Sequence, residues 1–333
     1  ARGSLCMVNG DHSVKSLAGW LNYVDTVSSK PVDLGLERVS EVYKRLCLLH
    51  HRSMQQHPAL VITFAGTNGK GSTLSMVEAL ALNSGNSVGA YTSPHLLRFN
   101  ERIRVNGQDV SDEVLIAGFG AIEQVRCGES LTYFEYATLV ALEVFLQANL
   151  DMWLLEVGLG GRLDAVNIID PNIAVITTID LDHQEWLGPD RETIGAEKAG
   201  IIRAGIPLVL GSDDIPASVF SKATELSADV FELNRDFAID HLRFTSRRSS
   251  NKPLVNNAEI TLQLTDKPVL PADNLATALQ VARLAELDLQ RLERQTFPTV
   301  AVKGRFQTVN QQPFIVLDVA HNPHAARYLS KWL

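Results

Sequence analysis

Leu60 to Met76 reads LVITFAGTNGKGSTLSM, and the fold is decided in this stretch. Leu60 to Ala65 is a short apolar run rich in β-branched and aromatic side chains, which predicts a buried strand. Gly66, Gly69 and Gly71 come next, and a helical pattern opens at Ser72 and Thr73. A strand that enters a helix through glycines offers backbone N–H groups and the positive end of the helix to an anion, and Lys70 adds a movable cation. The expected ligand is a nucleotide. The common phosphate loop has four residues between its first glycine and its Gly-Lys pair. Here only Thr67 and Asn68 intervene, and Gly71 separates Lys70 from Ser72. An ordinary strand-to-helix connection is the alternative reading.

Two amphipathic helices, at 13–29 and 34–49, precede this stretch. After a helix at 72–83 come a strand at 87–91, the loop Ser93-Pro94-His95 and a hairpin from Arg102 to Val110 turning at Asn106-Gly107. Helices are expected at 111–126, 133–149 and 191–202, and strands at 152–157, 172–179 and 206–210. These later strands are almost continuously apolar, as burial on both faces requires. Strands alternating with helices predict an α/β fold with a doubly wound, mostly parallel sheet and a ligand at the C-terminal strand ends. Phe231 to Leu264 alternates instead and reads as an antiparallel ribbon, and a helix follows at 274–287. Past Gly304 a new strand at 313–319 and a helix start read as the beginning of a second α/β domain, cut short after about thirty residues. The expected division is therefore 1–300 and 301–333.

Composition narrows the function. The 333 residues are 45% hydrophobic and 20% charged, and 30 Lys and Arg stand against 38 Asp and Glu, a net charge of −8. A broad nucleic-acid surface is not expected. Cys6, Cys47 and Cys127 form no ligand cluster, which argues against zinc and disulfides and fits a reducing cytoplasm. His321 and His324 lack companion ligands for zinc. The apolar run Ala137 to Leu150 is interrupted by Glu143 and is too short to span a bilayer. Ala1 to His12 lacks the order of a signal peptide.

Glu156 closes a buried-strand pattern, where a carboxylate must be paired or bind a metal. It is either a magnesium ligand facing the phosphate loop or the partner of Arg162. His183, in Asp180-Leu-Asp-His183, lies just past another strand at the same rim and is either a hydrogen-bonded structural group or a ligand. Ser93 follows a third strand. Lys198, on a predicted helix, reads as an ordinary solvated lysine.

Taken together, these residues resemble the dihydrofolate synthase/folylpolyglutamate synthase family of the Mur ligase superfamily. The matching blocks are Asp33-Leu-Gly-Leu-Glu-Arg-Val39, the GTNGKGS loop, Thr92-Ser-Pro-His-Leu96, Leu131-Thr-Tyr-Phe-Glu135, Leu155 to Asp164, Leu181-Asp-His183, Glu197 to Ile201, Gly304-Arg-Phe306 and Asp318 to His324. The resemblance implies an ATPase domain of the Mur ligase type and an ATP-dependent ligase joining L-glutamate to dihydropteroate or to reduced folates. It implies that Asn68, Gly69, Lys70, Gly71, Ser72, Asn274, Arg305 and Asp318 hold ATP, and that Ser93, Glu156 and His183 bind Mg²⁺. Lys198 matches a lysine that is often carbamylated in the superfamily, and as a carbamate it would serve a second Mg²⁺. His321 is expected close to the ATP. Thr132, Tyr133, Phe134, Glu135, Leu163, Asp164 and Ala165 match the dihydropteroate segments. A cytoplasmic monomer is expected. A Mur-type cell-wall ligase and a nucleotide-binding fragment without catalysis are the competing readings.

Overall fold

Burial with a period of two in the strands sets the architecture. In β1 (Leu60–Ala65), Val61 and Ala65 enter one apolar layer while Ile62 and Phe64 enter the opposite one. β5 (Met152–Glu156) repeats the division, with Trp153 and Leu155 on the first face and Met152 and Leu154 on the second. Strands of this kind are covered by helices on both sides, which is the condition for a parallel sheet. The computed structural model describes residues 16–28, 30, 32–52, 54, 59–247, 259–265, 270–293, 300, 302–305, 307–320, 322, 326, 329 and 330.

Among these residues β1 and β5 join β2 (Val88–Tyr91), β3 (Ile103–Val105), β4 (Gln108–Asp109), β6 (Ile173–Ile176), β7 (Pro207–Leu210) and β8 (Asp229–Glu232) in one sheet of order β4-β3-β2-β5-β1-β6-β7-β8. Only the β2–β3 and β3–β4 pairs are antiparallel, and Asn106 and Gly107 take the positive φ that the tight β3–β4 turn demands. One face is covered by α1 (Leu17–Val27), α2 (Glu37–Leu49), α4 (Asp112–Arg126), α5 (Tyr133–Ala148), α7 (Arg191–Ala199) and α8 (Ala217–Glu225). The other carries α3 (Lys70–Asn83), α9 (Ala272–Leu284) and a three-stranded antiparallel sheet of β9 (Phe237–Asp240), β10 (Arg243–Ser246) and β11 (Ile260–Gln263). A short α6 (Gln184–Leu187) follows β6, and β12 (Gln307–Gln311) pairs antiparallel with β13 (Phe314–Leu317). β1 lies between β5 and β6; it leads into α3 on one face of the sheet while β6 leads through α6 into α7 on the other, and a crevice opens at the C-terminal ends.

Several boundaries differ from the sequence expectation for physical reasons. α3 starts at Lys70 rather than Ser72, because Gly69, with φ of 87°, completes the turn and caps the helix. β6 stops at Ile176 because Thr177 and Thr178 are taken up by side-chain hydrogen bonds to the glycine turn. Phe231 and Glu232 belong to the parallel edge strand β8 rather than to the antiparallel ribbon. Burial alternates along that strand and mimics a half-exposed antiparallel one. α8 and β12 have no counterpart in the sequence reading, and β12 (QTVNQ) is exposed throughout and gains its form from pairing with β13. No helix of the described residues is long and apolar enough to cross a membrane.

The glycine-rich segment after β5 packs on the end of α7 with no room to spare. A β-carbon on Gly161 would lie 2.8 Å from the Glu197 carbonyl oxygen and 3.0 Å from that of Lys198, while the Arg162 N–H donates to Glu197 O at 2.9 Å. Backbone cannot yield as a side chain does. Gly161→Ala is therefore expected to lower stability by about 1–3 kcal/mol, read as a lower urea midpoint; an unchanged midpoint would refute this packing.

Candidate active site

The turn after β1 is held by the chain leaving β6. Thr67 N–H donates to Thr178 O at 2.7 Å and Asn68 N–H to Thr178 Oγ1 at 3.0 Å, while Thr177 Oγ1 donates to Asn68 O at 2.6 Å. A β-carbon on Gly66 would fall 2.0 Å from Thr177 Oγ1, and one on Gly69 would fall 2.8 Å from Asn274 Oδ1 at the start of α9. Both glycines carry positive φ, so neither side-chain volume nor another backbone conformation is available. The first internal bond of α3 runs from Thr73 N–H to Gly69 O. The amides of Gly69, Lys70, Gly71 and Ser72 thus have no acceptor among the described residues, and they form the donor cluster of a helix N-terminus.

Lys70, Ser93, Glu156, His183 and Lys198 come from five different elements or their trailing loops, and all line one cleft of about 430 Å³. Lys70 Nζ donates to Gly66 O at 2.9 Å. Burial holds its ammonium below the ordinary lysine range, the Glu156 carboxylate opposes that shift and the Arg305 charge adds to it. Glu156 is only 4% exposed, and burial pushes its carboxyl up against the pull of Lys70 and of the Ser93 N–H, which donates to Oε2 at 3.0 Å. Arg162 is not its partner, since that guanidinium pairs with Glu197 at 2.8 Å. Oε1 receives no hydrogen bond from the described residues and lies beside Gly71. His183 takes φ of 49° at the start of α6, and its side chain is half exposed.

Among the described residues no three His, Cys, Asp or Glu side chains form a metal-holding group. The rim nevertheless fits a hard divalent cation: a carboxylate with one uncommitted oxygen, a hydroxyl and an imidazole share the cleft. Lys198 is buried, contrary to its reading as a solvated lysine. It is 4% exposed, and no described residue hydrogen-bonds its amine. Burial and then the Lys70 charge bring it down to about 7, with Asp182 and Asp164 pulling the other way.

Thr132, Phe134 and Glu135 form the opposite wall with Leu163, Asp164 and Ala165. Thr132 and Glu135 are locked in a reciprocal capping box at the start of α5, and Glu135 also pairs with Arg38 at 3.0 Å. Asp164 accepts the N–H groups of Gly158, Leu159 and Val166 at 3.0, 2.8 and 3.0 Å. Burial nevertheless raises it to about 6. Tyr133 does not line the cleft but packs edge-on against Phe99 behind it. Arg305 lines the cleft; Asp318 does not, and its Oδ1 accepts the Ala320 N–H at 2.8 Å. His321 lies outside the described residues. Three features escaped the sequence reading as site residues. Asp33 to Gly35 line the cleft, Arg102 lines it from the start of the hairpin, and Asn322 exchanges amide hydrogen bonds with Asn68 at 3.1 and 3.2 Å. Asp33 and Asn322 were visible as members of matching blocks, whereas Arg102 carried no signal at all.

The Mur ligase middle domain family matches residues 64–279. The dihydrofolate synthase/folylpolyglutamate synthase of Escherichia coli (strain K12) is 44% identical over 316 residues, 94% of this chain and 72% of that protein. The chain belongs to the dihydrofolate synthase/folylpolyglutamate synthase family. Solved members of the family share the fold. The structure of E. coli FolC in complex with DHPP and ADP superposes with a TM-score of 0.86 at 43% identity, over 96% of this chain and 74% of that one. A bifunctional folylpolyglutamate synthase/dihydrofolate synthase with Mn, AMPPNP and L-glutamate bound gives 0.83 at 44% identity, over 96% and 74%. The folate-ligase family, rather than a cell-wall ligase, accounts for nearly the whole chain.

Lys198 makes folding stability depend on pH. The unfolded lysine keeps its proton up to its ordinary 10.5 while the folded one releases it near 7. Between these values the unfolded state binds more protons, so stability rises with pH. Lys198→Met is expected to flatten the rise in urea midpoint from pH 7 to 10, leaving the part due to Lys70; an unaltered slope would contradict the burial of the Lys198 amine.

Proposed function

We propose that the cleft seats the phosphates of ATP on the amides of Gly69 to Ser72 and on Lys70, with the acceptor against Thr132–Glu135 and Leu163–Ala165. The chain is an ATP-dependent ligase of the folate family, and the acceptor read here is dihydropteroate or a reduced folate, with L-glutamate as the amine. The observation that carries this reading is the convergence of Lys70, Ser93, Glu156, His183 and Lys198 on one space together with both acceptor segments.

A carboxylate resists amide formation because its oxygen is a poor leaving group. Transfer of the γ-phosphoryl group to the acceptor carboxylate supplies a better one, and the glutamate amine then displaces phosphate. Lys70 and the helix N-terminus offset charge on the phosphoryl oxygens. Ser93, Glu156 and His183 are the residues to hold Mg²⁺, which when bound neutralises phosphate charge. Two such ions are proposed, the second served by Lys198. Its amine sheds its proton near pH 7 and so supplies the neutral form that adds carbon dioxide, and the product carbamate is an oxygen ligand. Asn274 and Arg305 are assigned to the nucleotide, as are Asp318 and His321. Residues 1–300 form the nucleotide-binding unit in this reading, and 301–333 open a second one that brings Arg305 to the cleft. The protein is proposed to act as a monomer in the cytoplasm.

With Mg-ATP, L-glutamate and dihydropteroate, the protein is expected to release phosphate and form dihydrofolate, and Lys70→Ala to lower that rate by at least about a hundredfold. Phosphate release that ignores the acceptor would count against the assignment. The carbamate has its own readout: ¹³C-bicarbonate is expected to give a carbamate NMR signal that Lys198→Ala removes, and its absence at saturating bicarbonate would exclude the modification.

A further inference from the structure

The acceptor side of the cleft contains a buried cation with no counter-charge. Arg102 is 8% exposed and lines the cleft. Its Nε donates to His95 Nδ1 at 2.7 Å, and its guanidinium carbon lies 5.8 Å from the Phe99 ring centre and 5.7 Å from that of Tyr133. No described group that meets it is anionic: its contacts are the His95 imidazole, the Phe99 and Tyr133 rings and the Tyr91 phenol, which burial keeps protonated beside Arg102.

The carboxylates nearby make their bonds to other groups than Arg102. Glu101 accepts the Leu96 N–H at 2.8 Å and pairs with Lys303 at 3.3 Å. Glu135 is taken by Arg38 and by the Thr132 N–H, and Glu156 accepts the Ser93 N–H with one oxygen and has Gly71 beside it. Among the described residues none forms an ion pair with Arg102. A guanidinium removed from water without a partner is costly. The aromatic faces recover part of that cost and fix the plane of the group. With Nε occupied, the terminal nitrogens form a fork suited to a planar carboxylate.

Position identifies which carboxylate. The Arg102 carbonyl accepts the Thr92 N–H at 2.8 Å, one residue before Ser93 at the phosphate rim. Its side chain lies against Tyr133, whose neighbours Thr132 and Phe134 form the acceptor wall. Arg102 therefore stands between the phosphate end and the acceptor end. We propose that Arg102 is a specificity-determining residue that seats a carboxylate of the acceptor. The proposal rests on the folate-ligase reading above. The charge would also relieve the repulsion between an anionic acceptor and the triphosphate that must approach it.

The test compares wild type, Arg102→Gln and Arg102→Lys in binding and turnover. The probes are dihydropteroate, tetrahydrofolate and a decarboxylated dihydropteroate that ends in aniline. Arg102→Gln is expected to raise KM and Kd for dihydropteroate about ten- to a hundredfold, with nucleotide Kd within about twofold and the decarboxylated analogue bound as by wild type. Arg102→Lys keeps the charge without the fork and is expected to lie between. It decides the matter if the glutamine variant loses nucleotide binding and hence its fold. Weakening for both acceptors marks the carboxylate that is phosphorylated; weakening for tetrahydrofolate alone marks the α-carboxylate of its glutamate. Either supports the seat. Equal losses with the decarboxylated analogue, or no loss with any acceptor, overturn it. A wild type that makes no product yet shows the Arg102-dependent preference for a carboxylate would refute the ligase reading and leave the seat standing.

Discussion

Charge held out of water at the ends of parallel strands is the constraint on which the rest depends. Lys70, Glu156, Asp164, Lys198 and Arg102 are all buried or largely so around one cleft, and each would be more stable in solvent. What keeps them there is the apolar sheet beneath, whose central strands β1, β5 and β6 are covered on both faces and cannot rearrange to release their C-terminal ends. The residual imbalance is two-sided. Among the described residues the glycine turn presents donors without acceptors, and Glu156 presents an oxygen without a donor. A bound polyanion and a cation answer both at once.

The binding turn owes its shape to its neighbours as much as to its own glycines. Gly66 and Gly69 permit the path, but Thr177 and Asn274 fill the space on either side, and Thr177 and Thr178 supply the hydrogen bonds that hold it. This separates the two cleft walls in kind. The wall at the glycine turn is a backbone surface fixed by threonines, whereas the wall at the start of α5 is a side-chain surface fixed by the Thr132–Glu135 capping box and by the three amides gathered on Asp164.

Much of this was legible in the sequence because burial leaves a period. The runs MWLLE and IAVI read as strands covered on both faces, and the strand-glycine-helix order located the turn whose amides lie free at the start of α3. Glu156 was legible for the same reason, as a charge in a place that rejects charge. Lys198 was not. A lysine on a short polar helix has the pattern of a solvated one, and its burial comes from tertiary packing that no pattern along α7 announces, the approach of Gly161 to the α7 backbone among it. Arg102 was hidden more deeply, since its enclosure needs Tyr133, on a helix well along the chain, as well as Phe99 from its own turn. Nor could β12 be anticipated, for its polar side chains say nothing about a strand that exists only through its partner.

The close packing around Gly66, Gly69 and Gly161 has an evolutionary corollary. At each of these positions a single added methyl group meets an atom within 3 Å, two of them in the phosphate turn and one behind the buried amine. Sequence drift in this protein must therefore run outward from the cleft, through exposed pieces such as β12, because the chemistry is surrounded by positions where even the smallest increment of mass has nowhere to go.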